Sequence, residues 1–243
     1  MLIEVVDKAK DTSFIVRIND QYAKLVEDKL PFASRARVWK EEVYFETPMS
    51  IEQGVHSHRV SRGRVYFWKP GKAICLFYGI SQIYTPGLEI GYVVDPASRL
   101  LTVEDGDEIE VRRHEVSTQY KDVVMQLANE GFDVGTPLDQ GCRIVVARKV
   151  VGNVEVSLSI FIEEYGFHVE SDALARYSND LVNVKEFNRL RNLVEGVSRY
   201  ARLDVSEEGF VVITACGDEK RALIEVVEDV ARAFWLAKKH LAY

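Results

Sequence analysis

The sequence predicts a chain in two halves: a mostly β first half, and an α+β second half with an antiparallel sheet and helices. In the first half, short segments of alternating apolar and polar residues are separated by turn residues such as Pro70 and Gly71. Beyond Ser117 the apolar spacing becomes helical in two places, near 118–130 and from Asp218 onward. We therefore expect a β domain followed by a domain in which helices cover a sheet.

The predicted domain boundary lies where this pattern changes. We assign residues 1–116 to the β domain and residues 117–243 to the α+β domain. Either half is long enough to bury a hydrophobic core of its own.

The first half is predicted to begin with a hairpin. Apolar residues alternate in 2–6 and 13–18, and Asn19 then precedes a helical spacing that Pro31 ends. The remaining strands are expected in four segments: 38–46 as one strand, 64–78 as a hairpin, 90–94, and a hairpin of 101–104 with 108–112.

The second half is predicted to alternate helices and strands. Every second residue in 154–162 is apolar, which is typical of a strand with one buried and one exposed face. Asn183 and Glu186 form a capping-box pattern, which predicts that a helix begins there. A hairpin is expected over 202–216, and a long amphipathic helix follows from Asp218.

Charge and hydropathy exclude several classes of partner. The formal net charge is -7, and the basic residues form no arm or tail, so we expect no nucleic-acid partner. No window approaches the ~18 apolar residues that a membrane-spanning helix needs, so we expect no membrane partner. The cysteines, Cys75, Cys142 and Cys216, form no C-x-x-C pair, and isolated thiols suit a reducing compartment. The expected location is therefore the cytoplasm.

The motifs of metal and cofactor sites are weak or missing. His56 and His58 form an H-x-H pair, but Glu52 is the one further ligand close in sequence, so we expect no metal site. The sequence has no P-loop, G-x-G-x-x-G or G-x-S-x-G pattern, so no cofactor is predicted.

Two ordered segments carry a family resemblance. They are WKEEVYFETP at 39–48 and VYFWKPGKAICLFYG at 65–79. Both resemble blocks of a cyclophilin-like family of unknown function from archaea and thermophilic bacteria, and the resemblance covers about residues 1–115. The chain departs from that family at Lys40, where the pattern has glycine. The resemblance implies a closed eight-stranded barrel for the first half, and it implies nothing for the second half.

The resemblance does not imply prolyl isomerase activity. The strands that match the active-site blocks of true cyclophilins lack the glutamine and the Gly-Gly-Asp of those enzymes. An isomerase would need a positioned hydrogen-bond donor and an apolar pocket. The donor candidates are Arg35, Arg37, Arg62 and Arg64. Because no motif selects among them, we favour a protein without catalytic activity.

A row of aromatic side chains suggests a binding surface. Strands 41–46, 64–68 and 73–78 are apolar on both faces, so both faces need a cover. We assign one face to the core and the other to a candidate ligand-binding site. The candidate residues are Tyr44, Tyr66, Trp68 and Tyr78, together with Glu42 and Arg64. Packing within the chain and contact between copies are the alternatives for this face.

The leading functional hypothesis is a module that binds a small molecule or a peptide at this aromatic face. Tyrosine and tryptophan suit such a groove because each has an apolar body and a hydrogen-bonding tip. One alternative is an enzyme, most simply a peptidyl-prolyl isomerase. Another is an interaction protein that forms homo-oligomers, suggested by the long terminal helix and the unrecognised second half.

Overall fold

The computed structural model describes residues 1–242. Its first ten strands form one sheet, and the first helix lies among them in the chain. The strands are β1 (Leu2–Asp7), β2 (Thr12–Ile18), β3 (Phe32–Arg35), β4 (Arg37–Trp39), β5 (Glu42–Glu46), β6 (His56–Arg59), β7 (Arg64–Trp68), β8 (Ala73–Phe77), β9 (Gln82–Val93) and β10 (Glu108–Arg113). Helix α1 (Asp20–Glu27) follows β2.

The strands of this unit form one antiparallel sheet of ten strands. Its hydrogen-bonded order is β3-β10-β1-β2-β9-β7-β8-β5-β4, and β6 pairs with β9 beside this path. The two ends of the path, β3 and β4, are consecutive in the chain with Ala36 between them. The predicted hairpin of β1 and β2 is present, as is the predicted hairpin of β7 and β8.

One hydrophobic core lies against one face of this sheet. Phe14, Phe45, Phe67 and Leu88 belong to it and are at most 1 % exposed. Tyr22 and Val26 of α1 pack into the same core, so the helix covers part of it. Burial of side chains of this size stabilises a fold by roughly 1.5–3 kcal/mol each.

The segment 38–46, expected to be one strand, is a hairpin. Strands β4 and β5 pair antiparallel with Trp39 opposite Glu42, so Lys40 and Glu41 form a two-residue turn. Lys40 has φ of 52°, in the left-handed region. Hairpin turns of this length favour residues that accept positive φ, and the family pattern has glycine at this position. The apolar alternation hid the turn because lysine gives no turn signal.

We expect the unfolding free energy of Lys40→Gly to exceed that of Lys40→Ala by about 1 kcal/mol. Both substitutions remove the ammonium group that lies 4.4 Å from the Trp39 ring centroid. Only glycine also relieves the left-handed backbone, so the usual preference for alanine over glycine is reversed here. Urea unfolding of the two variants measures the difference. A Lys40→Ala protein as stable as Lys40→Gly would mean that the backbone strain is negligible.

The expected strand 101–104 is a 3-10 helix over Ala97–Thr102. Pro96 begins this turn, and its carbonyl accepts from the Arg99 amide at 3.0 Å. Ala97, Leu100 and Val103 are buried at intervals of three residues, which is the spacing of a 3-10 helix and not the two-residue period of a strand. The strand predicted at 108–112 is present as β10, but its partners are β1 and β3.

The remaining elements form a second sheet, a short ribbon and three helices. The strands are β11 (Asp133–Gly135), β12 (Leu138–Asp139), β13 (Cys142–Arg143), β14 (Val145–Val151), β15 (Val154–Glu163), β16 (Gly166–Ser171), β17 (Ala175–Arg176), β18 (Arg202–Val205) and β19 (Phe210–Gly217). The helices are α2 (Lys121–Asn129), α3 (Leu181–Val197) and α4 (Leu223–Leu241).

The second sheet runs in the order β11-β14-β15-β16-β19-β17, with β18 paired to β19. The ladders between β14, β15, β16 and β19 are antiparallel. Helix α4 packs on this sheet through a stripe that includes Val226, Val230 and Phe234, each at most 1 % exposed. The sheet and its helices agree with the predicted α+β second half.

Helix α3 begins earlier than the capping pattern predicted. Its N-cap is Asp180, whose carboxylate accepts hydrogen bonds from the amides of Val182 and Asn183, both at 3.0 Å. An aspartate N-cap satisfies free amides of the first turn as well as a capping box does. The predicted cap at Asn183 therefore lies inside the helix.

Two compact units follow from the contacts within the chain. The first consists of residues 1–120 and 135–143, and the second of residues 121–134 and 144–242. The ribbon of β12 and β13 belongs to the first unit because the Leu138 amide donates to Ser13 Oγ at 2.7 Å. Arg99 also pairs with Asp139 at 3.0 Å. The sequence pattern had grouped this ribbon with the second half.

Within residues 1–242, no helix has the length and apolar character needed to cross a membrane.

Candidate functional site

The pairing of three neighbouring strands brings four predicted site residues onto one face of the first sheet. Tyr44 of β5 and Tyr66 of β7 both lie opposite Cys75 of β8. Directly opposed residues of an antiparallel pair point to the same side. Glu42 precedes Tyr44 by two residues, and Trp68 follows Tyr66 by two, so both share that side.

These side chains line a cavity of about 240 Å³, here called the aromatic pocket. Its walls come from β4, β5, β7, β8 and the start of β9. The lining residues are Trp39, Glu42, Tyr44, Tyr66, Trp68, Cys75, Phe77, Ile83, Tyr84 and Thr85.

The aromatic rings of the pocket hold one another in place. The ring pairs and their centroid separations are Tyr44 and Trp68 at 6.3 Å, Tyr66 and Phe77 at 5.5 Å, and Trp39 and Tyr84 at 5.8 Å. The first two pairs meet edge to face, an arrangement that the ring quadrupoles favour. Trp68 Nε1 also donates to Thr85 Oγ1 at 2.6 Å, which fixes the indole. These contacts between the protein's own side chains fix the position of the walls.

Tyr66 forms a buried part of the wall and is 3 % exposed. Its hydroxyl donates to Glu89 Oε2 at 3.4 Å. Burial, reinforced by the Glu89 carboxylate, raises the pKa of Tyr66 to about 12. The ring therefore stays a neutral phenol.

Glu42 is the acidic group of the aromatic pocket. It is 6 % exposed, and burial raises its pKa while a hydrogen bond with the Cys75 side chain acts against that rise. Burial, with the neighbouring Glu42, raises the pKa of the Cys75 thiol well above its ordinary value. Cys75 is therefore protonated and unreactive. In the part of the chain that the structure describes, no cationic side chain pairs with Glu42.

A larger open groove of about 990 Å³ adjoins the aromatic pocket. Tyr44 and Trp68 line both cavities, so this ring pair separates them. Basic side chains of Lys8, Arg35 and Arg37 line the groove. The two arginines are ion-paired at 3.2 Å, Arg35 with Glu108 and Arg37 with Asp105.

Two predicted site residues lie elsewhere. Tyr78 has the same alternation as Ile74 and Leu76, so it faces the core, where its hydroxyl donates to the Lys40 carbonyl at 2.7 Å. Arg64 lies outside the pocket lining and pairs with Glu89 at 3.4 Å. The sequence reasoning placed Tyr78 on the same face as Tyr66, but the strand register places Cys75 on that face.

Besides Cys75 and Phe77 of β8, which the sequence reasoning gave to the core face, four further lining residues were missed: Trp39, Ile83, Tyr84 and Thr85. Trp39 reaches the pocket because β4 folds back on β5 at Lys40. The other three lie on the first part of β9, which was not predicted to be extended. The β-branched and aromatic run Ile83-Tyr84-Thr85 was the available signal for a strand.

The donor candidates for prolyl isomerisation do not converge on the aromatic pocket. Arg35 and Arg37 lie in the groove, while the Arg62 guanidinium donates to the Tyr78 carbonyl. His58 Nδ1 lies 3.1 Å from the Ile83 carbonyl oxygen, and His56 is exposed. Over residues 1–242, no group of three or more His, Cys, Asp or Glu side chains is placed to hold a metal ion.

Two solved structures are similar to part of this chain. A solved structure titled as the hypothetical protein AF2241 from Archaeoglobus fulgidus is 28% identical; the alignment covers 46% of this chain and 94% of that chain, with a TM-score of 0.39. A structure titled McbB in complex with tryptophan is 17% identical and covers 53% of this chain and 54% of that one, also with a TM-score of 0.39. A search of curated proteins found no match.

The family comparison agrees with the two sequence segments and the β-rich first unit. The model of the Cyclophilin-like family matches residues 3–112, which run from the second residue of β1 to the last but one residue of β10. The resemblance predicted from the sequence is thereby confirmed: residues 3–112 of this chain are similar to the Cyclophilin-like family.

Proposed function

We propose that the first unit is a binding module whose aromatic pocket receives an apolar group of a small molecule or peptide. The observation that carries this proposal is a preformed cavity of about 240 Å³ walled by aromatic side chains. Such pockets typically combine apolar walls with a few placed polar groups, here Glu42 and Thr85.

The size of the aromatic pocket suits one ring or one branched apolar group. A cavity of roughly 150 Å³ already accepts benzene, so about 240 Å³ accepts a somewhat larger group. Complete ligand sites usually measure ~300–1,000 Å³. The aromatic pocket therefore anchors part of a ligand, and the adjoining groove offers room for the rest.

The architecture proposed for this module is a closed barrel within a domain of residues 1–116. Closure is supported by the two ends of the sheet path, since β3 and β4 are joined through Ala36 and β3 also contacts β5. It is further supported by a single core shared by strands from across the sheet. A closed sheet would hold the pocket walls on rigid strands.

Binding of phenol is expected to be saturable and to shift the methyl resonances of Ile83, which lines the aromatic pocket. Replacement of Trp68 by alanine should weaken binding at least tenfold, because it removes a wall and the partner of Tyr44. Methyl NMR titration of both proteins measures the two affinities.

The matched control is Trp235→Phe, in helix α4 of the second unit. It should leave phenol affinity within twofold of the unsubstituted protein. If phenol shifts no pocket resonance at millimolar concentration, or if Trp68→Ala binds it equally well, the aromatic pocket is not a binding site.

A further inference from the structure

We propose that the group received by the aromatic pocket is an organic cation, specifically a fully methylated ammonium group carried by a small molecule. This inference rests on the proposed function, because it names the ligand chemistry of the same pocket. Its basis is the combination of a buried carboxyl group, Glu42, with walls formed by five rings of tyrosine and tryptophan.

The first argument concerns charge. Glu42 is 6 % exposed, and its polar contact in the pocket is the neutral thiol of Cys75. Burial of a carboxyl group without an opposite charge is unfavourable, and proteins usually pair such groups. No cation of the described residues 1–242 forms that pair. A cationic ligand would supply the missing charge and favour the ionised form of Glu42.

The second argument concerns the walls. The faces of tryptophan and tyrosine rings attract cations within about 6 Å of the ring centroid, most strongly where water is excluded. Two rings of the pocket already interact with a cation of this chain. Lys40 Nζ lies 4.4 Å from the centroid of Trp39 and 5.7 Å from that of Tyr84. Tyr44, Tyr66 and Trp68, the other tyrosine and tryptophan walls, have no such cation among residues 1–242, and they line the same pocket as Glu42.

The third argument selects a methylated cation over a primary ammonium. A primary ammonium carries three N–H donors, each of which needs an acceptor when it is buried. The Thr85 hydroxyl already accepts from Trp68, and the Tyr66 hydroxyl is directed to Glu89. Glu42 is the one carboxylate among the lining residues, and the other oxygen acceptors on their side chains are hydroxyl groups. A trimethylammonium group has no N–H donor and presents methyl groups to the rings.

The experiment compares three probes by calorimetry and by the Ile83 methyl shift: choline, 3,3-dimethyl-1-butanol and ethanolamine. The first two have the same shape and differ in charge, while ethanolamine is the unmethylated cation. We expect choline to bind at least tenfold more tightly than either of the others. Glu42→Gln should remove that preference. We expect it to lower the affinity for choline at least tenfold and to leave the affinity for dimethylbutanol unchanged.

Glu41→Gln is the matched control, because it makes the same change of charge one residue away. The Glu41 carboxylate accepts from the Ile80 amide at 2.9 Å and does not line the aromatic pocket. Its substitution should leave choline affinity within twofold. Glutamine in place of Glu42 can still accept from Cys75, so that variant is expected to fold.

The outcomes separate this inference from the proposed function. If dimethylbutanol binds in the pocket as tightly as choline, or if Glu42→Gln leaves choline affinity unchanged, the cation inference is wrong and the binding module stands. If ethanolamine binds as tightly as choline, the assignment of a methylated group is wrong. If phenol and all three probes leave the Ile83 methyl groups unshifted, both proposals are overturned.

Discussion

Gly91→Ala is expected to reduce the unfolding free energy of the first unit by about 4 kcal/mol. A Cβ atom at this position would lie 2.0 Å from the Arg17 carbonyl oxygen and 3.2 Å from Ile18 Cα. Both are backbone atoms of β2, the strand paired with β9. A side chain can rotate away from such a contact, but a paired strand moves only by losing its hydrogen bonds.

The position of Gly91 explains why the effect should extend to the aromatic pocket. Gly91 lies opposite Val65 of β7, and the register between β7 and β9 shifts between Val65 and Tyr66. This irregularity sets the direction of Tyr66, since an extra residue in one strand re-aims its neighbours. Displacement of β9 at Gly91 should therefore weaken binding in the protein that remains folded.

Urea unfolding in a Trp235→Phe background measures the stability loss, because the remaining tryptophans, Trp39 and Trp68, both lie in the first unit. Gly106→Ala is the control. No atom lies within 4 Å of a Cβ built there, although its φ of 98° is left-handed. Gly106→Ala is therefore expected to lower the unfolding free energy by about 1–2 kcal/mol, through backbone strain alone. Equal losses in both variants would show that β2 yields to the added methyl group.

Three strands of the aromatic pocket, β5, β7 and β8, could be predicted because their alternation is unambiguous. Tyr44, Tyr66 and Trp68 fall on one face once the chain is extended, whatever the partners of each strand are. The position of Glu42 on that face also follows, because Glu42 precedes Tyr44 by two residues. The sequence also predicted the α+β character of the second half, since the alternation in 154–162 and the stripe of α4 have different periods.

The errors arose where pairing between strands, rather than the pattern within one strand, decides the face. Tyr78 was grouped with Tyr66, but the ladder places Cys75 opposite Tyr66 and leaves Tyr78 with the core side. The turn at Lys40 was hidden for a related reason: lysine adopts positive φ there only because the flanking residues pair. A strand that is apolar on both faces does not by its own pattern specify which face packs on the core.

His114 makes the stability of the first unit sensitive to acid. Its Nε2 accepts from the Thr136 amide at 3.2 Å, so the ring is held neutral with its proton on Nδ1. Within residues 1–242, Nδ1 has no hydrogen-bond partner. Burial, opposed by Glu4 and reinforced by Arg143 and Arg112, lowers the pKa of His114 to about 4.

Whether acid raises or lowers the stability follows from the pKa of His114 in the folded and in the unfolded protein. Above pH 6.5 the imidazole is neutral in both the folded and the unfolded protein, and it does not affect stability. As pH falls through 6.5, the unfolded chain gains a proton that the folded chain does not, so stability is lost until about pH 4. A shift from 6.5 to about 4 corresponds to about 3 kcal/mol, of which about 2 kcal/mol falls between pH 7 and pH 5.

The variant His114→Gln keeps an acceptor for the Thr136 amide and removes the titration. We expect its unfolding free energy, relative to that of the unsubstituted protein, to rise by about 2 kcal/mol between pH 7 and pH 5. The difference is the informative quantity because Asp95 acts in the opposite direction: burial raises its pKa to about 6, so protonation favours the folded state. Asp95 is present in both proteins and cancels.

His168→Gln provides the control for a general effect of removing histidine. Hydrogen bonding with Glu170, reinforced by Cys216 and opposed by burial, raises the pKa of His168 to about 9. Its contribution to stability is therefore complete below pH 6.5 and is lost as pH rises toward 9. Between pH 7 and pH 5 this variant should show little of the gain expected for His114→Gln. The opposite result is that the unfolding free energies of His114→Gln and the unsubstituted protein differ by the same amount at pH 7 and pH 5. That result would mean that His114 is protonated as readily in the folded state as in the unfolded state.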